Sequence, residues 1–119
     1  MPKSKPKPAR KSVHSKSLRV AQQIRLPVTV RDALKRLAEQ DEAHLGDVYD
    51  DALRWFLRHE GRKKTIFYLA SSHAGGYATM WLDRALLDRV RVVAERDQVP
   101  INRVTYTALV HYLQSRNTL

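Results

Sequence analysis

Cysteine is absent from the 119 residues, which excludes disulfides, thiolate metal sites and cysteine nucleophiles. No apolar run approaches the roughly 20 residues that a bilayer-spanning helix needs. Glycine occurs only four times, nowhere in the spacing of a loop that cradles phosphate. Acidic residues are missing from the first 20 positions, and that stretch also lacks the apolar segment of a secretory leader, so none is expected. The five histidines, His14, His44, His59, His73 and His111, show no paired metal-ligand spacing. "SSH" at 71–73 has no acid placed to complete a hydrolytic triad. Asp47, Asp50 and Asp51 fall within about one helical turn, a pattern that reads as a solvated acidic face rather than a catalytic carboxylate cluster. No enzymatic activity, metal or cofactor is expected, and a cytoplasmic protein is the default.

What is present is positive charge, unevenly spread. The net charge is +10. Lys3, Lys5, Lys7, Arg10, Lys11, Lys16 and Arg19 all lie in residues 1–20, leaving 15 of the 22 basic residues to face all 12 acids in the remainder. The chain therefore reads as a nearly balanced domain, 21–119, behind a basic tail, 1–20. "MPKSKPKPARKSVHSKS" interleaves its charges with Pro and Ser, a composition that buries too little apolar surface to fold alone. Such tails favour polyanions, nucleic acid above all. A membrane surface would call for an apolar face beside the charges, which is lacking. The bland alternative is a solubilising extension.

The domain is built twice. Sliding the chain by 56 residues superimposes "AQQIRLPVTVRDALKRLAEQDEAHLGDVYDDALRWFL", 21–57, on "YATMWLDRALLDRVRVVAERDQVPINRVTYTALVHYL", 77–113, without a gap. Identities include Leu26/Leu82, Ala38/Ala94, Val48/Val104, Ala52/Ala108, Leu53/Leu109 and Leu57/Leu113, and apolar character persists at Ile24/Met80, Val30/Leu86 and Leu34/Val90. Self-similarity at a fixed offset signals a repeated structural unit. Each copy opens with a short alternating strand, Gln23-Ile24-Arg25-Leu26 in the first, halted there by Pro27. An amphipathic helix follows, with Val30, Leu34, Leu37 and Ala38 on one face. A turn and a second helix close the unit, with Asp47 and Asn102 as candidate N-caps and Gly61 as a stop. A lone strand leaves unpaired backbone groups on both edges, so the strand around Ile24 is expected to pair antiparallel with the strand around Met80. The fold class is mainly α with a short two-stranded antiparallel ribbon, its apolar face covered by four helices. In the connector, 58–76, "TIFYLA" suits either an extra strand or a helical turn, and Ser71-Ser72 and Gly75-Gly76 mark loop.

Strand, helix, turn, helix, with "RLPVTVRDALKRLAEQ" and "VPINRVTYTALVHYL" as its most telling segments, resembles the ribbon–helix–helix DNA-binding superfamily that includes Arc, MetJ and CopG. Two copies in one chain resemble its tandem form, found in TraY-type relaxosome accessory proteins and in the Agrobacterium virulence protein that assists T-DNA processing. The resemblance implies a monomeric pseudo-dimer whose ribbon enters the major groove of double-stranded DNA. Outward strand residues would read bases: Ala21, Gln23 and Arg25 in the first copy, Tyr77, Thr79 and Trp81 in the second. The chemistry suits the task, since Arg can bond guanine O6 and N7 together, Gln can bond adenine N6 and N7, and Thr or another apolar surface can meet a thymine methyl. Trp81 departs from the pattern; it would pack on a thymine methyl or sugar, on the connector or on a partner, or, with the strand shifted, in the core. Two unlike strands imply an asymmetric target.

The resemblance further implies phosphate anchoring at the start of each second helix, Gly46-Asp47 and Asn102-Arg103. Asp47 would repel a phosphate unless turned inward. Arg62, Lys63, Lys64 and the tail residues Lys3, Lys5, Lys7, Arg10, Lys11, Lys16 and Arg19 would add affinity without sequence information. The expected role is accessory factor of a relaxosome in conjugal DNA transfer or transcriptional repressor on a plasmid or other mobile element, with side-by-side assembly on DNA and contact with other DNA-processing proteins. The rival is a protein-interaction module: Gln23 and Arg25 would be a merely solvated face, Tyr77 and Trp81 a partner patch, and the tail alone would touch nucleic acid.

Overall fold

The computed structural model of the chain describes residues 18–70 and 75–119. The N-terminal residues Lys3, Lys5, Lys7, Arg10, Lys11, Lys16 and His14, and Ser71, Ser72 and His73 of the connector, lie outside them. The element order is β1 (Arg19–Arg25), α1 (Val28–Gln40), α2 (Leu45–His59), β2 (Tyr77–Asp83), α3 (Arg84–Asp97) and α4 (Ile101–Ser115). The molecule is mainly helical, with β1 and β2 forming a two-stranded antiparallel sheet. β1 is longer than the four residues expected and begins at Arg19, inside the stretch assigned to the tail. Arg19 and Val20 extend the ladder opposite Asp83 and Leu82; Val20 shares the helix-facing side with Ile24 and packs against the core, but polar Gln22 between them interrupts the apolar alternation.

One face of this ribbon is closed by the helices. Ile24, Leu26, Met80 and Leu82 are buried and join the core with Val30, Leu34 and Leu37 of α1, Val48, Leu53 and Phe56 of α2, Leu86 and Val90 of α3, and Val104, Leu109 and Leu113 of α4. A two-stranded sheet is marginal in water. Burying four large side chains at about 1.5–3 kcal/mol each is what holds this one in place. The repeat mates anticipated from sequence occupy matching core positions: Leu26 with Leu82, Val48 with Val104 and Leu53 with Leu109 are all buried. The turns match as well. Glu42 and Gln98, again 56 residues apart, both adopt left-handed backbone (φ 52° and 57°), and the next residue in each case bonds back to the helix, Ala43 N–H to Ala38 O and Val99 N–H to Ala94 O, the closure that satisfies terminal carbonyls.

Two local expectations are corrected, the second-helix caps and "TIFYLA", while Gly61 stands just past the end of α2 as expected of a stop. The second helices begin earlier than Asp47 and Asn102: His44 and Pro100 occupy the cap positions, extended and without side-chain cap bonds, because the approach of the chain rather than a capping side chain sets the start. α2 ends at His59, and Gly61 follows one residue after the cap, its N–H bonded to Phe56 O. "TIFYLA" is neither strand nor helix; Arg103 donates to the carbonyls of Tyr68 and Leu69, and Leu69 N–H donates to Thr107 Oγ1, so this segment lies along α4 with its polar groups met by side chains. At its far end Gly75 sits at φ 86°, where a Cβ would come 2.1 Å from Leu26 O; only glycine fits there.

Candidate nucleic-acid interface

The strand period of two settles which side chains face away from the helices. On β1 these are Ala21, Gln23 and Arg25; on β2 they are Tyr77, Thr79 and Trp81. The register sets them in three cross-strand pairs, Ala21 opposite Trp81, Gln23 opposite Thr79 and Arg25 opposite Tyr77. Trp81 is 57 % exposed and Tyr77 64 %, which removes the possibility that a shifted strand buries Trp81. At one end the Arg25 guanidinium carbon lies 4.7 Å from the centroid of the Tyr77 ring, an attraction between cation and ring face. Arg31 steadies the same end by donating to Tyr77 O. The other end holds Trp81 over a bare Ala21.

Arg19 is not a free tail cation. It pairs with Asp50 at 3.1 Å and donates to Trp81 O at 2.7 Å. Asp50 is fully buried and its other oxygen accepts from Asp83 N–H at 3.1 Å. The carboxylate thus ties the start of β1 and the end of β2 to α2. This corrects the reading of Asp47, Asp50 and Asp51 as a solvated acidic face: Asp47 is only 5 % exposed and Asp50 is at zero, while Asp51 pairs with Arg54 on its own helix. A buried aspartate needs partners, and those of Asp50 come from 31 and 33 residues away, beyond the reach of a local pattern.

The two candidate anchors differ. At the start of α2, Asp47 is turned inward and the Arg19 guanidinium lies beside Gly46. At the start of α4, Asn102 donates to Gln23 O and accepts a hydrogen bond from Gln22 Nε2, so its side chain serves the ribbon. Arg103 is committed to the connector carbonyls. Gln22, on the helix-facing side of β1, is a contributor the sequence reading passed over; its signal was a polar residue at an inward position, which demands polar company, here Asn102 and Thr105. An open groove of about 450 Å³ brings Lys64 and Arg103 together with Phe67 and Val99. Arg62, Lys63 and Lys64 are exposed.

At the C-terminal end of α3, Asp97 accepts hydrogen bonds from Arg96 at 2.8 Å and from the Tyr68 hydroxyl at 2.5 Å. Arg96 first and Tyr68 second hold its carboxyl down at about 2. Burial, then the bond to Asp97, pushes the Tyr68 phenol up. This clasp fastens the connector to α3. Among the described residues no cluster of His, Asp and Glu could hold a metal, and no helix is long and apolar enough to cross a membrane. Neither protein-family models, nor curated proteins, nor solved structures yield a match to this chain.

Proposed function

We propose that this chain is a tandem ribbon–helix–helix protein, pseudo-twofold within one molecule, that binds duplex DNA sequence-specifically by seating its ribbon in the major groove. One observation carries the reading: a two-stranded ribbon whose inner face is core and whose outer face presents Gln23 opposite Thr79, Arg25 opposite Tyr77 and Trp81 opposite Ala21. A major groove about 12 Å wide admits such a ribbon, and these side chains suit its donors, acceptors and methyl groups. The chain's +10 charge supplies attraction to phosphate. Because the side chains of Asn102 and Arg103 are engaged within the chain, and the N–H groups of Arg103 and Val104 donate to Pro100 O, the backbone N–H groups of Ile101 and Asn102 at the start of α4 are the better phosphate anchor on that flank. The role is that of an accessory factor in DNA transfer or a repressor on a mobile element; the position of the bound site, at a transfer origin or over a promoter, distinguishes them.

The exposure of Tyr77 and Trp81 favours the second reading, a partner-binding patch with only non-specific nucleic-acid contact. The test is enrichment of bound duplexes from a random pool, followed by comparison of enriched and random duplexes with Arg25→Ala. Loss confined to the enriched duplex, about 5- to 150-fold for a bidentate contact, supports base reading. Failure to enrich any sequence supports the partner patch.

A further inference from the structure

The ribbon's two ends carry different chemistry at equivalent places, and the inference drawn from this rests on the DNA-binding reading above. Arg25 and Trp81 are 56 residues apart and are therefore repeat mates. They lie on either side of the central Gln23–Thr79 pair, two residues out in each direction. At about 3.3 Å per residue they are separated by roughly 13 Å along the ribbon, on the order of four base-pair steps at about 3.4 Å each.

Each end suits one class of base edge. Arg25 presents donors only, and its guanidinium is stacked by Tyr77 before any ligand arrives. Guanine offers it two adjacent acceptors. Trp81 is exposed and uncharged, and its direct neighbour Ala21 is too short to cover the indole. An apolar surface on the groove floor finds one apolar partner among the bases, the thymine C5-methyl. We infer that Trp81, with Ala21, reads a thymine methyl in one half of the target while Arg25, braced by Tyr77, reads a guanine in the other, so that the chain binds DNA in a single orientation.

Base analogues in the enriched duplex test this. Deoxyuridine in place of thymine removes only the methyl; 7-deazaguanine in place of guanine removes only N7. For the unaltered protein, deoxyuridine should weaken binding about fourfold at a position in one half, the worth of one buried methyl. 7-Deazaguanine should weaken it about tenfold at a position in the other half, roughly four base pairs away. Trp81→Ala should bind thymine and uracil duplexes equally, and Arg25→Ala should lose the N7 effect alone. Trp81→Phe, which keeps an apolar surface, should retain methyl sensitivity. Since Trp81 and Arg25 project from the outer face, circular dichroism should show all three variants folded. Uracil tolerance throughout, methyl sensitivity that survives Trp81→Ala, or the same base requirement in both halves would overturn the assignment while leaving sequence-specific binding intact. Absence of any enriched duplex would instead remove the reading on which it rests.

Discussion

Gln23 and Thr79 face each other across the ribbon, and they are also the residues that the 56-residue offset makes equivalent. The two facts come from different places, one from backbone pairing and one from side-chain pattern. An antiparallel pair of equivalent strands has one position where a residue meets its own counterpart, and here that position is central. Every other outward pair then joins unlike places, Arg25 with Tyr77 and Ala21 with Trp81. Sequence divergence between the copies is thereby converted into a difference between the two ends of one surface.

The buried carboxylate of Asp50 is the polar joint of the Trp81 end. It is shared by the Arg19 guanidinium and the Asp83 backbone. Asp50→Ala leaves the Asp83 N–H facing a cavity while Arg19, partly exposed, keeps its bond to Trp81 O, so the loss should fall at or below the low end of the about 3–5 kcal/mol of a fully buried pair. Arg19→Met alone leaves the buried Asp50 carboxylate without the Arg19 cation, and adding Asp50→Leu should recover part of that loss, because no charge is then buried alone. Urea denaturation of the two singles and the double checks this. Equal and additive losses would mean that the pair is not coupled.

The repeat, the helix stripes and the outward alternation were all legible because each depends on residues a few positions apart. Leu34 and Leu37 lie on one face of α1 by spacing alone, and Gln23 and Arg25 share a strand face by alternation. Asp50 was misread for the converse reason: a Leu-rich helix with three acids looks solvated until distant donors are brought to it. Asn102 looked like a cap for its residue type, but the fold turned its amide to Gln22 and the Gln23 carbonyl. The connector defied assignment because its conformation is imposed by Arg103 and Thr107, not by its own apolar run. Of the candidate site, the six outward residues could be read from sequence, whereas the Arg25–Tyr77 stacking required the register.

The clasp of Tyr68, Asp97 and Arg96 gives stability a dependence on pH at both extremes. The Asp97 carboxyl is held at about 2, below its ordinary 3.8. Its contribution is complete above the ordinary value and is lost as pH falls through about 2. The Tyr68 phenol is raised above its ordinary 10.0, so its contribution is complete below pH 10 and is lost as pH climbs through the raised value. Asp97→Asn should flatten the stability curve between about pH 2 and 4, and Tyr68→Phe should flatten the limb above about pH 10. Tyr49 and Tyr112, also raised mainly by burial, should leave some alkaline sensitivity in Tyr68→Phe. Chemical denaturation midpoints measured across pH give the answer, and an acid limb identical in Asp97→Asn and the parent would refute it.

Affinity and selectivity should separate along the chain. Lys3, Lys5, Lys7, Arg10, Lys11 and Lys16 precede the first described residue, while every outward ribbon side chain lies beyond Arg19. Phosphate neutralisation makes the logarithm of affinity fall with the logarithm of salt at a slope of about −0.9 per contact. Removing residues 1–17 should therefore lower the magnitude of that slope by at most about 5, the limit for six cations, and weaken enriched and random duplexes alike. The ratio between the two duplexes should hold, because Arg25, Gln23, Thr79 and Trp81 are untouched. Arg25→Ala should do the reverse, lowering the ratio about 5- to 150-fold with a slope change of about 1 or less. Titrations at several salt concentrations with both duplexes decide the matter: a ratio that falls when the tail is removed would place base recognition in the tail, and the ribbon would then be a surface for something other than DNA.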